Sequence, residues 1–187
     1  MNIVLFGPPG AGKGTQAKYL EKKISGFQVS TGDMLRDEIK KDSDIGKKII
    51  NDMNDGKFIS DEIVNKLIKN VISDPEKKGK LIFDGYPRSL QQAKNLDFLL
   101  SNSNQKIDFV LFLNVNKNTI IERIQKRKFE ENRSDDRLKT ILKRYDTYME
   151  TTRPVLDFYS QNLNFREIDG TLKIEEITAK IDTFLQV

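Results

Sequence analysis

The sequence predicts an α/β domain in which helices flank a parallel β-sheet, and two observations carry that reading. Short apolar runs at residues 2–6, 81–83, 109–113 and 164–168 recur between longer segments of helical periodicity. Each run is too short for a helix and suits a strand buried on both faces. The second observation is GPPGAGKGT, residues 7–15, which joins the first run to the first periodic segment. A glycine-rich turn between a strand and a helix is where backbone N–H groups gather around an anion.

Taken in order, segments 15–24, 89–100, 118–128, 136–149 and 173–185 read as helices. The alternation breaks between residues 30 and 72, where helical pieces at 33–41, 44–54 and 61–72 follow one another with no strand between them. That region reads as a helical excursion between two core strands. Residues 126–137, KRKFEENRSDDR, are almost wholly charged and supply no core face, so they read as a short mobile flap joining two helices. At 187 residues the chain has the length of one domain, with the excursion at 30–59 and the flap at 126–137 inside it. There is no internal repeat and no low-complexity tract.

Composition narrows the chemistry. The chain has no cysteine and no histidine, which removes disulfides, thiolate and imidazole catalysis and any Cys/His zinc site. Carboxylates, amides, ammonium and guanidinium groups remain. The net charge of +4 is modest and spread over a mixed surface, so it points to anions without implying nucleic acid. No signal-like segment opens the chain and no apolar stretch approaches the ~18 residues of a membrane span, so a cytoplasmic monomer is expected.

Gly7, Gly12 and Lys13 meet the G-x-x-x-x-G-K spacing between a strand and a helix. Successive N–H groups from Gly10, Ala11, Gly12, Lys13, Gly14 and Thr15 can face a phosphate, and the Lys13 ammonium reaches its outer oxygens. Gly14 stands where the usual pattern has Ser or Thr, and the hydroxyl falls one residue later, on Thr15. That shift weakens direct ligation of magnesium and leaves more of the ion's shell to water. In LIFDGYPR, residues 81–88, Asp84 ends an apolar strand, where it can orient a magnesium-bound water or, alternatively, cap the next helix. STGDMLR, residues 30–36, offers the Thr31 hydroxyl and, one turn on, the planar fork of Arg36. Arg123 and Arg127 share a helix face, a spacing that fits a solvated face as well as a binding one.

The phosphate loop, the STGD-x-LR segment and the DGYPR segment occur in the order found in adenylate kinases and related nucleoside monophosphate kinases, which the whole chain resembles. The resemblance implies a P-loop kinase fold and reversible, Mg²⁺-dependent phosphoryl transfer from ATP to AMP, giving two ADP. It implies ATP on residues 10–15 with Arg123, Arg127 and the backbone around Leu172. It implies AMP against Thr31, Arg36, Lys57, Ile59, Gly85, Arg88, Gln92, Arg133 and Arg144. Lys13, Arg88, Arg123, Arg127, Arg133 and Arg144 would act on the transferring group, with Asp135 and Asp136 orienting arginines. Thr31 and Gln92 match the adenylate forms, where pyrimidine enzymes tend to have alanine and asparagine. Closure of the excursion and flap, which keeps water from the reaction, also comes from the resemblance.

The sequence departs from the long-lid form of the family, since only five residues separate Arg127 from Arg133 and no zinc ligands are present. A short lid follows, and nucleotides are the expected partners, with neither nucleic acid nor membrane among them. Three other readings stay open on sequence alone. A kinase for another monophosphate is one, GMP being less well excluded than CMP or UMP. A non-catalytic nucleotide-binding module would use only the phosphate loop. Polynucleotide binding through the basic surface would show a steep salt dependence.

Overall fold

The chain enters its sheet at the centre and fills it outwards to both sides. The computed structural model describes residues 1–131, 138–161 and 164–186, apart from the side chains at 126–131, 138, 139 and 141. Five parallel strands, β1 (Ile3–Phe6), β2 (Phe27–Ser30), β3 (Leu81–Asp84), β4 (Phe109–Asn114) and β5 (Phe165–Asp169), lie in the spatial order β2-β3-β1-β4-β5. From β1 the chain runs to one edge, and from β4 it runs to the other. The reversal therefore lies between these two neighbours, where open α/β sheets bind ligands beyond the strands' carboxyl ends.

Nine α-helices are present among the described residues: α1 (Lys13–Lys23), α2 (Thr31–Lys40), α3 (Asp44–Asn54), α4 (Asp61–Ile72), α5 (Leu90–Asn102), α6 (Lys117–Glu131), α7 (Leu138–Thr147), α8 (Arg153–Ser160) and α9 (Ile174–Leu185). The alternation of side chains along each strand divides the core in two. Val4, Phe6, Leu81, Phe83, Val110 and Phe112 face a cluster with α2–α5 and α8, and Ile3, Leu5, Ile82, Leu111 and Leu113 face one with α1, α6 and α9. Each fully buried aliphatic side chain contributes about 1.5–3 kcal/mol.

The α/β class and the four expected strands are present, and α3 and α4 keep their expected limits. The expected flap is helical in its first half, since α6 runs on to Glu131, and its residues 132–137 lie outside the described residues. Two further elements correct the reading. The first is β2, an edge strand that immediately precedes the excursion and whose last residue is Ser30. Its sequence, FQVS, is half polar and only Val29 is fully buried, so it lacks the apolar run that marks the inner strands. The second is the end of the expected helix 136–149. It leaves the α-form after Thr147, passes through one π-helical turn at Tyr148–Thr152 and continues as α8, with Pro154 in its first turn. That turn needs no N–H from proline, which is why the helix restarts there.

Register sets the site. Asp84 pairs with Leu5 on one side and Ser30 on the other, so β1, β2 and β3 end at nearly one level of the sheet. The phosphate loop, Thr31 and Gly85 therefore leave the sheet side by side.

Candidate functional site

The phosphate loop lines one end of a cleft of about 750 Å³, at the upper part of the ~300–1,000 Å³ range of small-molecule sites. Gly12 is the N-cap of α1, and its φ of +96° is left-handed backbone that glycine adopts without a steric penalty. No side chain caps the helix and no acidic residue lies in its first turn, so its leading N–H groups and positive dipole end are directed at whatever the loop encloses. The Lys13 Nζ donates to the carbonyls of Gly7 (2.8 Å) and Pro8 (3.0 Å), which folds the ammonium over the loop. Gly10, Ala11, Gly12, Lys13, Gly14 and Thr15 all line the cleft.

Asp84 lines the same cleft at the end of β3. A Cβ placed on Gly14 would lie 3.5 Å from Asp84 Oδ2, so this carboxylate stands directly beside the loop. Gln28 Nε2 donates to that same oxygen at 3.1 Å, from the strand that sequence reading missed. Among the described residues no group of three or more acidic side chains could hold a bare metal ion.

Across the cleft, polar groups converge on Gly85. Its carbonyl accepts from Thr31 Oγ1 at 2.8 Å and from Arg88 Nε at 2.7 Å. The Arg88 guanidinium stacks over Phe58 with 5.2 Å to the ring centre, and its own backbone carbonyl accepts from Thr152 Oγ1 at 2.9 Å. Arg36, one turn into α2, pairs with Asp33 at 2.5 Å and lines the cleft with Arg144. Burial and then the neighbouring Arg144 lower the Arg88 pKa to about 10, Asp84 opposes this, and Arg36 adds to it. Burial disfavours an isolated charge of either sign, but the like charges of Arg144 and Arg36 beside Arg88 leave an excess of positive charge in the cleft, for which a doubly charged phosphate is the natural counter-charge.

Gln92 is buried against the cleft in the first turns of α5. Its Oε1 accepts from the Arg88 backbone N–H at 2.7 Å, and its Nε2 donates to Asp61 Oδ1 at 2.6 Å. Ile59 is buried and lines the cleft. Lys57 also lines it, but its ammonium is held outward by Asp52 and Asp55, each at 3.2 Å. At the other end Arg123 lines the cleft, with Nη1 donating to Ala11 O and Nη2 to Thr171 O, both at 3.5 Å. The Asp169 carboxylate accepts from the Thr171 hydroxyl at 2.6 Å and its N–H at 2.9 Å, which bends the chain to bring Leu172 to the cleft wall. The same two bonds, the hydroxyl's first, hold the Asp169 carboxyl below its ordinary pKa.

The structure thus brings together Lys13, Thr15, Thr31, Arg36, Lys57, Ile59, Asp84, Gly85, Arg88, Gln92, Arg123, Arg144 and Leu172. The side chain of Arg127 and the whole of Arg133, Asp135 and Asp136 lie outside the described residues. Sequence reading passed over Gln28, Phe58, Tyr148 and Thr152, which also line the cleft, and Asp61, which holds Gln92. Phe58 was legible in principle as the aromatic residue between Lys57 and Ile59. The others look like ordinary strand, helix and turn residues until the fold brings them together.

Comparison with known proteins agrees with this geometry. The sequence profile of the adenylate kinase family matches residues 5–164. A curated adenylate kinase from Pelagibacter ubique is 46% identical over 213 aligned positions, covering all of both chains. That length exceeds the 187 residues here, so the relative carries inserted residues. One from a Caulobacter species is 43% identical over 187 positions, covering all of this chain and 99% of its own. One from a Nocardioides species is 35% identical over 187 positions, covering all of this chain and 98% of its own. A phosphate loop facing an arginine cluster across one cleft, in a sequence matched end to end by these relatives, leaves one conclusion: the chain belongs to the adenylate kinase family, the phosphotransferases that move a phosphoryl group from ATP to AMP.

Proposed function

We propose that ATP lies on residues 10–15 with its base toward Arg123, Arg127 and Leu172, and that AMP lies opposite, against Thr31, Arg36, Lys57, Ile59, Gly85, Arg88, Gln92, Arg133 and Arg144. The observation that carries this reading is the continuity of the cleft, which the loop lines at one end and Thr31, Arg88 and Gln92 at the other. Two phosphate chains entering from these ends meet head to head, as in-line transfer requires. Lys13, Arg88, Arg123, Arg127, Arg133 and Arg144 offset the charge that develops on the transferring group. No general base is needed, because positioning and charge stabilisation supply most of the rate in phosphoryl transfer. This suits a chain with neither histidine nor cysteine.

The donor set fits a hydrated Mg²⁺. One carboxylate, Asp84, stands beside the loop, and the nearest loop hydroxyl is that of Thr15. Mg²⁺ sheds water reluctantly and is commonly held by one or two carboxylates together with substrate phosphates. Asp84 and Thr15 would hold it through water, with Gln28 fixing the carboxylate. Held there, such an ion would supply positive charge to offset that of the nucleotide phosphates. The reading extends to one domain, 1–187, with a monophosphate-binding part at 30–59 and a short lid at 126–137 that close over the nucleotides. It includes a monomer working in the cytoplasm. No helix among the described residues is long and apolar enough to cross a membrane.

The test is ADP formation from ATP and Mg²⁺ with AMP, GMP, CMP or UMP, against a control with ATP alone. Turnover with AMP only is expected. Comparable turnover with another monophosphate would overturn the roles of Thr31 and Gln92, and rapid ADP release in the control would overturn the closure.

A further inference from the structure

Gln92 is only 4% exposed, and its two amide ends meet groups of opposite and fixed polarity. The Arg88 backbone N–H, 2.7 Å from Oε1, can only donate, and the Asp61 carboxylate, 2.6 Å from Nε2, can only accept. Exchanging the two ends would set donor against donor and acceptor against acceptor in a buried position. The penalty is about 1–3 kcal/mol for each unsatisfied group. The amide therefore stands one way round, with one N–H and one oxygen lone pair left over.

Those leftovers are what a base would meet, because Gln92 lines the cleft while Asp61 does not. Adenine presents an exocyclic N–H donor beside a ring-nitrogen acceptor, and guanine presents a carbonyl acceptor beside a ring N–H donor. An amide of fixed polarity complements one edge and opposes the other. Asp61 lies in the first turn of α4. One turn on, Asn65 Oδ1 accepts from the Tyr86 hydroxyl at 2.7 Å, and Asn95 Nδ2 of α5 donates to that hydroxyl at 3.1 Å. This second link ties α4 to α5 beside the Asp61–Gln92 bond.

We infer that Asp61 is a positioning residue that determines base specificity: without touching the nucleotide, it fixes the Gln92 amide so that the acceptor site takes adenine and rejects guanine. The inference rests on the assignment of Gln92 as the base reader. An acidic residue in a helix's first turn also stabilises the helix through its charge, but that role acts on stability and leaves base choice untouched.

The test compares the intact protein with Asp61→Ala, Asp61→Asn and Gln92→Ala. It measures kcat/KM and dissociation constants for AMP and GMP, KM for ATP, and melting temperature. Asp61→Ala is expected to lower the preference for AMP over GMP about tenfold, mostly through a higher KM for AMP, with KM for ATP unchanged. Asp61→Asn, which lacks the charge but can turn an oxygen to Gln92, is expected to keep the preference within about threefold. The inference is overturned if Gln92→Ala lowers the preference while Asp61→Ala does not, which would leave Gln92 as the reader. It is also overturned if Asp61→Asn loses as much as Asp61→Ala with an equal fall in melting temperature, since helix charge would then be the cause. If Gln92→Ala itself leaves the preference intact, the base-reader assignment falls and the inference falls with it.

Discussion

At the phosphate-loop end of the cleft, residues 7–15 form one uninterrupted segment that supplies backbone N–H groups, a helix N-terminus and the Lys13 ammonium. At the opposite end the polar groups come from separated places: Thr31 at the start of α2, Gly85 and Arg88 after β3, Gln92 on α5, Arg144 on α7 and Thr152 in the π-helical turn. Thr31, Gly85, Arg88, Gln92 and Thr152 are joined by hydrogen bonds, two of which share the Gly85 carbonyl. A contiguous backbone cradle concentrates its function in few groups. A site assembled from side chains spreads function over many, and each loss there is partial.

The largest expected effect therefore lies at the loop. Lys13→Met keeps the stem but removes the one ammonium folded over residues 7 and 8, and kcat should fall about 10³-fold with KM for AMP changed less than about threefold. A coupled assay of ADP release checks it. Arg88→Met should come next, with transfer to AMP reduced about 10²-fold and the ligand-free protein made more stable. The sign follows from its pKa. In the fold it is lowered from 12.5 to about 10, so at neutral pH the protonated form is disfavoured by the fold in full, and removing the charge removes that penalty. Loss of the bond to the Gly85 carbonyl and of the stack on Phe58 offsets part of that gain. A lower urea midpoint than that of the unaltered chain would contradict it.

The contrast between the two ends also explains what could be read from residues alone. A contiguous motif keeps its spacing in sequence, so Gly7, Gly12 and Lys13 were legible from strand, turn and helix signals. Asp84 and Gly85 were legible because a buried apolar run ends at them. Asp61 and Gln92 lie 31 positions apart, Thr152 and Arg88 lie 64 apart, and no periodicity links either pair. Resemblance pointed to Gln92 but could not supply its partner. Strand β2 escaped because an edge strand with one buried residue carries too little apolar signal, and with it went Gln28, which steadies Asp84. The helical excursion was legible in its helices and not in its contacts, since packing between helices depends on close approaches that composition does not reveal.

One such approach gives the next prediction. Gly46 of α3 lies against the end of α2, where an added Cβ would stand 2.6 Å from the Glu38 carbonyl carbon and 2.8 Å from Ile39 Cα. Both are backbone atoms and neither can swing away. Gly46→Ala must push α2 and α3 apart, and the expected loss is about 2–3 kcal/mol despite alanine's better helix propensity. Denaturant unfolding measures it. KM for AMP should rise with it, because Arg36 lies on α2, while KM for ATP should stay within about twofold.

The smallest effect is expected where the assembled end has a spare connection. Thr31→Val keeps the shape of the side chain and removes one hydrogen bond, that from Oγ1 to the Gly85 carbonyl at 2.8 Å. The same carbonyl keeps its bond from Arg88 Nε at 2.7 Å, so it is not left without a donor. The change therefore forfeits one net hydrogen bond of about 0.5–1.5 kcal/mol and not the larger penalty of an unsatisfied buried group. Converted at about 1.4 kcal/mol per factor of ten, that is roughly a two- to tenfold rise in KM for AMP, with kcat and KM for ATP nearly unchanged. Steady-state kinetics with AMP varied at saturating ATP gives the value. A fall in kcat as deep as that of Arg88→Met would mean that the two donors act as one unit, and the partial-loss account of this end of the cleft would then fail at its best-defined point.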